Sequence, residues 1–277
     1  MNTQLDTSAL NTLDAAPAEA LNRGQIIAVA SGKGGVGKTS LTLNLARAAA
    51  RAGHNVLVFD ADLGLANVDV QLGLTPGKDL SAVIAGKANL KEVVSPAKNA
   101  GFDVIAGRSG SETLPFTTAL ERRDILKQLE ELATDYDLIL LDVAAGVGEE
   151  VLTFASMADK TLLVVTPDPS SITDSYAVIK LLNKRHRKNN CHVLVNQPGT
   201  ELEGRKTYEK IQVAADKFLG LGVPLFGVVP YDKNYLTAVR QQSLLVDSFP
   251  HEKSSETLAR MAEGLIRKPE KQAAGNP

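Results

Sequence analysis

The sequence predicts a doubly wound α/β fold, a mostly parallel sheet with helices on both faces. Three observations carry that expectation. Seven short apolar runs recur along the 277 residues. Stretches of helical period separate them, and the first run leads directly into a glycine-rich loop that opens a helix. Runs apolar on both faces suit parallel strands buried between helical layers. Ligands of such a sheet gather at the carboxyl ends of its strands.

The elements follow in order. "QIIAVA" (25–30) is the first strand, and "TSLTLNLARAAARAG" after it is a helix ending at Gly53, a residue suited to the left-handed turn that closes helices. Strands "NVLVF" (55–59) and "FDVIA" (102–106) come next. The helix "TALERRDILKQLEELATD" is expected to place Leu120, Ile125, Leu126, Leu129 and Leu132 on a shared face. "DLILLD" (137–142) and "TLLVVT" (161–166) are strands, followed by the helix "SITDSYAVIKLLNKRHRKN". Strand "CHVLVN" (191–196), helix "RKTYEKIQVAADKFLG" and strand "PLFGVV" (224–229) complete the alternation. Residues 1–23 and 268–277 are polar and aperiodic and read as flexible tails; 24–267 read as one domain. In "SSETLARMAEGLIRK", Leu258, Met261, Leu265 and Ile266 are spaced to pack on the sheet.

Composition narrows the function classes. A net charge of −2 disfavours a general nucleic-acid binder, whose footprint would be basic. With one cysteine, Cys191, a chain builds neither a disulfide framework nor a Cys-rich metal site. Aromatic residues are sparse and tryptophan is absent, which argues against base-stacking platforms. No basic-plus-apolar leader is visible, and no apolar run approaches the ~18 residues of a membrane span. The expected location is the cytoplasm.

The chemistry concentrates in three segments. Gly32-Lys33-Gly34-Gly35-Val36-Gly37-Lys38-Thr39 matches G-x-x-x-x-G-K-[ST] in its strand–loop–helix context. The glycines let successive backbone N–H groups face phosphate oxygens, and the helix N-terminus adds positive potential. Lys38 would neutralise the outer phosphates and the Thr39 hydroxyl would ligate Mg²⁺, with Ser40 beside them in the phosphate-contacting set. Lys33 is a second lysine at the loop's rim, suited to reach the phosphate of a facing subunit; otherwise it is a solvated charge that raises the local potential. Asp60 and Asp62 stand at the end of the second strand run, so both can face the phosphates if the strand stays extended, though either could instead cap the next turn. Asp142 ends "DLILLD" after four apolar residues, the Walker B arrangement that holds Mg²⁺ through water. "VAAGVG" (143–148) leaves the backbone room near a γ-phosphate.

The K-G-G-x-G-K-T pattern resembles the deviant Walker A loop of the MinD/ParA family of ATPases. That resemblance implies a slow, Mg²⁺-dependent, dimer-activated ATPase whose ATP-bound subunits form a sandwich homodimer that hydrolysis to ADP dissolves. It further implies that Lys33 contacts the partner's nucleotide, that Asp62 positions the attacking water and that Asp60 belongs to the magnesium shell. Asn196 would hydrogen-bond adenine, and Pro230 and Asp232 in "VVPYD" would border the base; a turn asparagine before Pro198 is the plain alternative for Asn196. "DADLGLANVDVQLGL" (60–74) and "SSITDSYAVIKLLNK" (170–184) are similar to the FlhG branch of the family. This branch implies control of flagellar number and placement, with an FlhF-type GTPase, a flagellar transcription activator and switch-complex components as partners. It also implies transient residence at the inner membrane or cell pole. A MinD-type division-site regulator and a ParA-type DNA-partitioning ATPase are the alternatives. "AEALNR" (18–23) only loosely matches the branch's GTPase-stimulating element. The basic run "NKRHRKNN" (183–190) fits a helix end as well as a DNA-contacting patch.

Overall fold

The computed structural model describes residues 23–62, 66–107 and 119–266. The expected tails, except Arg23, and most of the "AEALNR" element lie outside the described residues; Arg23 is not loose but pairs with Asp159 through both guanidinium nitrogens at 2.9 Å. Eight strands follow in chain order: β1 (Gln25–Ser31), β2 (Val56–Ala61), β3 (Ser95–Ala97), β4 (Phe102–Ile105), β5 (Leu138–Ala145), β6 (Lys160–Val165), β7 (Cys191–Asn196) and β8 (Leu225–Val229). They form a single sheet ordered β3-β4-β2-β5-β1-β6-β7-β8. Every pairing is parallel except the antiparallel β3–β4 edge. The expected fold class is the one observed.

The helices are α1 (Lys38–Arg51), α2 (Val68–Leu72), α3 (Leu80–Ile84), α4 (Ala119–Leu132), α5 (Glu149–Met157), α6 (Pro169–His186), α7 (Glu201–Leu219), α8 (Asn234–Arg240), α9 (Leu245–Ser248) and α10 (Lys253–Glu263). Alternate residues of the central strands feed two separate cores. On one face Ile26, Ala28, Leu57, Phe59, Leu141 and Leu163 meet α4 to α7, including a tilted Phe59–Phe154 ring contact at 5.8 Å. On the other face Ile27, Val29, Val58, Leu140 and Leu162 meet Leu41 and Leu45 of α1 and Leu258 of α10. Leu265 is fully buried in that second core, with Met261 and Ile266 packed beside it, as their spacing predicts.

Two features depart from expectation. Leu120 is 76% exposed, whereas Ile125, Leu129 and Leu132 are buried. Five residues separate Leu120 from Ile125, a rotation of roughly 140° that carries Leu120 away from the buried stripe. Strand β3 escaped prediction because Ser-Pro-Ala has no apolar run; its proline sits at the sheet edge, where a missing N–H is tolerated.

This topology places β1 at the centre with β5 on one side and β6 on the other. Register pairs Val29 with Asp142 and Asp60 with Asp142, so the carboxyl ends of β1, β2 and β5 converge.

Candidate functional site

The loop between β1 and α1 is shaped by its glycines at two points. Gly37, the residue before α1, sits at φ +90°, a left-handed conformation that side chains resist. Gly32 passes so close to α6 that a Cβ there would lie 2.3 Å from the backbone of Asp174. Val36 is buried and anchors the loop from inside, while the Ser31 hydroxyl donates to the Lys33 carbonyl at 2.7 Å. Helix α1 begins with no side-chain cap and no acidic residue in its first turn. Its leading N–H groups therefore face the loop without an intrahelical partner, the arrangement that attracts anions.

Lys38, Thr39, Asp60, Asp62 and Asp142 meet at the end of this loop. The Thr39 hydroxyl donates to Asp142 Oδ2 at 2.6 Å, and Thr42, which the sequence reading missed, approaches Asp142 Oδ1 at 3.5 Å. Burial pushes the Asp142 carboxyl up to about 6, against the pull of the Thr39 hydrogen bond and the Lys38 charge. Burial, and then the Asp142 charge, push Asp60 up to about 7. Desolvation likewise lowers Lys38, and Asp142 and Asp62 pull it back. Two buried acids beside one lysine form a site whose electrostatics a divalent cation would relieve. Among the described residues no three His, Cys, Asp or Glu side chains are arranged to hold a metal alone. A magnesium ion at Thr39 and Asp142 would complete its shell from water and phosphate oxygens, the usual habit of that ion.

Several expected residues have other work in this structure. Asp60 Oδ1 accepts from the Asp62 N–H at 3.1 Å, and Oδ2 accepts from the N–H groups of Asn67 and Val68 at 3.1 Å each. Its carboxylate thus organises the turn into α2, the capping alternative, with most of its acceptor capacity committed to backbone amides. Asp232 accepts from the Asn234 N–H at 2.8 Å and from the Ser254 hydroxyl, so its carboxylate ties α8 to α10. Pro230 is brought beside the end of β7 by the bonds Gln197 N–H to Val229 O and Tyr231 N–H to Pro198 O, both 3.0 Å. The Ser40 hydroxyl donates to Gln71 Oε1 on α2 at 3.0 Å.

Asn196 is buried against the loop, where its Nδ2 donates to the Val36 carbonyl at 2.8 Å. Its Oδ1 is buried with no hydrogen-bond partner. An amide oxygen left so is an acceptor without a donor, a group that an N–H of a ligand would satisfy. Gln197 follows at φ +61° with its side chain directed toward Gly37, a position no sequence signal marked.

Lys33 is not simply solvated. Its Nζ lies 3.1 Å from Asp168 Oδ2 and 2.7 Å from Ser170 Oγ, with the side chain 42% exposed. Asp168 is the N-cap of α6, accepting from the N–H groups of Ser170 and Ser171. The Ser170 hydroxyl and then Lys33 hold its carboxyl below the usual range. The Asp-Pro-Ser-Ser start of α6 is legible as a cap with proline in the first turn. Its pairing with a lysine 135 residues away is not.

A phosphate-shaped loop at the centre of a parallel sheet, with buried acids at the neighbouring strand ends, calls for comparison with known proteins. Residues 27–246 match the family model described as the CobQ/CobB/MinD/ParA nucleotide binding domain. The chain belongs to the MinD/ParA family. It is similar to the antiactivator FleN of Pseudomonas aeruginosa, 39% identical over 239 residues that cover 86% of this chain and 85% of the relative. It is also similar to the flagellum site-determining protein YlxH of Helicobacter pylori, at 34% identity over 88% of this chain and 82% of that one. Among solved structures, the septum site-determining protein MinD of Pyrococcus horikoshii, complexed with Mg-ADP, superposes with a TM-score of 0.75. That pair is 26% identical, covering 87% of this chain and 96% of the other. The molecule is thus a MinD/ParA-type P-loop ATPase.

Proposed function

We propose that this MinD/ParA-family chain is an ATP-switched homodimer that controls flagellar number and placement. The observation that carries the switch is Lys33, whose side chain is partly exposed at the loop rim and, among the described residues, is held by an exposed carboxylate and a hydroxyl. Exposed pairs of this kind are worth little, so a triphosphate presented by a facing subunit outcompetes Asp168 for the ammonium. Lys33 then bridges the two subunits, and loss of the γ-phosphate returns it to Asp168.

Within each subunit the loop N–H groups and Lys38 take the β- and γ-phosphates. Thr39 and Asp142 would hold Mg²⁺, whose charge would offset the negative charge of the phosphoryl oxygens. Asp62 orients the attacking water. Asp60 serves by holding the backbone of Asp62. Asn196 takes the adenine through its Oδ1, with Pro230 at the edge of the base.

The flagellar reading draws on similarity to FleN and YlxH across more than four-fifths of the chain. Its partners would be an FlhF-type GTPase, a flagellar transcription activator and switch-complex components. Action would be cytoplasmic, with transient recruitment to the inner membrane or pole. No helix among the described residues is long and apolar enough to cross a membrane. Leu258 of α10 and Leu265 just beyond its end are committed to the core, which disfavours their use as a membrane-docking face. The basic residues Lys184, Arg185 and His186 end α6, where cations are favoured, and Arg185 pairs with Glu149 at 3.6 Å.

Two experiments test the proposal. Asp62→Ala protein with Mg-ATP should elute as a stable dimer and hydrolyse slowly; a monomer at high concentration overturns the switch. A deletion strain should show altered flagellar number, restored by the wild-type gene; unchanged flagellation overturns the flagellar role.

A further inference from the structure

Helix α2 has five residues, too few to persist on its own hydrogen bonds. Contacts from outside hold it. Asp60 accepts from the amides of Asn67 and Val68 at its start, the Val68 side chain is buried in the core, and the Gln242 side-chain amide donates to the Val70 carbonyl at 3.1 Å. Another is the 3.0 Å bond from the Ser40 hydroxyl to Gln71 Oε1, which ties α2 to the first turn of α1.

Ser40 follows Lys38 and Thr39 at the mouth of the phosphate loop, in the set assigned to the nucleotide. A serine hydroxyl carries one proton to donate, and both Gln71 Oε1 and a phosphate oxygen are acceptors. It cannot serve both. We infer that Gln71 is a positioning residue that competes with the nucleotide's phosphate for the Ser40 proton, so that filling the loop loosens α2 from α1. The hydroxyl rotates, its proton changes acceptor, and no bond between heavy atoms is made or broken. Gln71 thereby sets nucleotide affinity without touching the nucleotide, and occupancy of the site is reported at a helix next to the Asp60–Asp62 segment. The inference rests on the nucleotide reading above and adds the residue that tunes it.

The test is a double-mutant cycle read by calorimetric titration with Mg-ADP, which needs no dimer. Gln71→Met removes the acceptor at similar size and should tighten ADP binding about three- to tenfold, the worth of one hydrogen bond. Gln71→Glu offers a stronger, charged acceptor and should weaken it by at least as much. The Gln71→Met effect should vanish in the Ser40→Ala background, a result that mere damage to α2 would not produce, and the Gln71→Glu effect should shrink there to the part that its charge exerts directly on the phosphates. Equal effects with and without the Ser40 hydroxyl, or no effect from either substitution, overturn the inference. Failure of the unsubstituted chain to bind Mg-ADP or Mg-ATP would instead overturn the nucleotide reading beneath it. Thermal melts of each variant show that the comparison is between folded proteins.

Discussion

Asp60 and Asp142 are register partners on β2 and β5; beyond their burial, the Asp142 charge makes ionisation of Asp60 costlier, and the Asp62 charge does the same to Asp142. Both carboxyls lie above the ordinary value near 3.8, so folding favours their protonated forms. The penalty is absent below about pH 4, grows as pH rises, and is complete above about pH 7. The melting temperature of the nucleotide-free protein should therefore fall across that window relative to an Asp142→Asn variant. The variant should melt a few degrees higher, roughly 2–4 °C, at pH 7.5. A calorimetric pH series in which the two curves run parallel would reject this account. Lys38 belongs to the same constellation with the opposite charge. Replacing it by alanine should weaken ATP binding by about 100-fold or more, since a charge-assisted contact to phosphate is lost and two buried acids remain opposite the ligand. Titration calorimetry measures this directly. At this scale the sequence was informative about residue type and poor about occupation. Asp60 and Asp232 are where the motif puts them, yet their oxygens are spent on backbone amides and on Ser254, which no spacing rule reveals.

The contact between the phosphate loop and α6 joins one element's glycine to another's backbone. Gly32→Ala would force a methyl group to within 2.3 Å of Asp174, where only rigid main chain can yield. We expect a loss of roughly 1–3 kcal/mol in urea unfolding, with weakened nucleotide binding, as for other overpacked positions. The α6 N-terminus offers a separable test. Asp168→Asn keeps an oxygen for the amides of Ser170 and Ser171 but removes the charge that holds Lys33. That variant should dimerise with ATP at lower protein concentration than wild type, while Asp168→Ala should also lose about 1 kcal/mol of cap stability. Sedimentation velocity across a concentration series distinguishes them; unchanged dimerisation in Asp168→Asn would remove Asp168 from the switch. The larger elements were readable because central strands apolar on both faces and amphipathic helices leave strong periods. Helix α2 and strand β3 were not, since five residues and three residues carry no period, and tertiary contacts alone make them regular.

At the scale of the whole molecule, the doubly wound order was legible from alternation, and the sheet puts the loop and both acidic strands at one rim. What alternation could not supply was the resting partner of Lys33. Since Lys33 is spent on Asp168 in a single chain, Lys33→Ala should bind ADP almost as wild type does and fail to dimerise with ATP. Small-angle scattering with both nucleotides reads this, and an ATP dimer of normal stability in the variant would contradict the proposed reach across subunits.

The lone cysteine has a practical meaning. Cys191 lies in the first position of β7, 2% exposed, and burial pushes its thiol up to about 12, so the folded protein offers almost no thiolate to a reagent. Alkylation at that sulfur can proceed only while the neighbouring strands are apart, which turns a native atom into a clock for opening of the sheet. A cysteine introduced on an exposed position such as Leu236 would label on its own, with no need to remove the first.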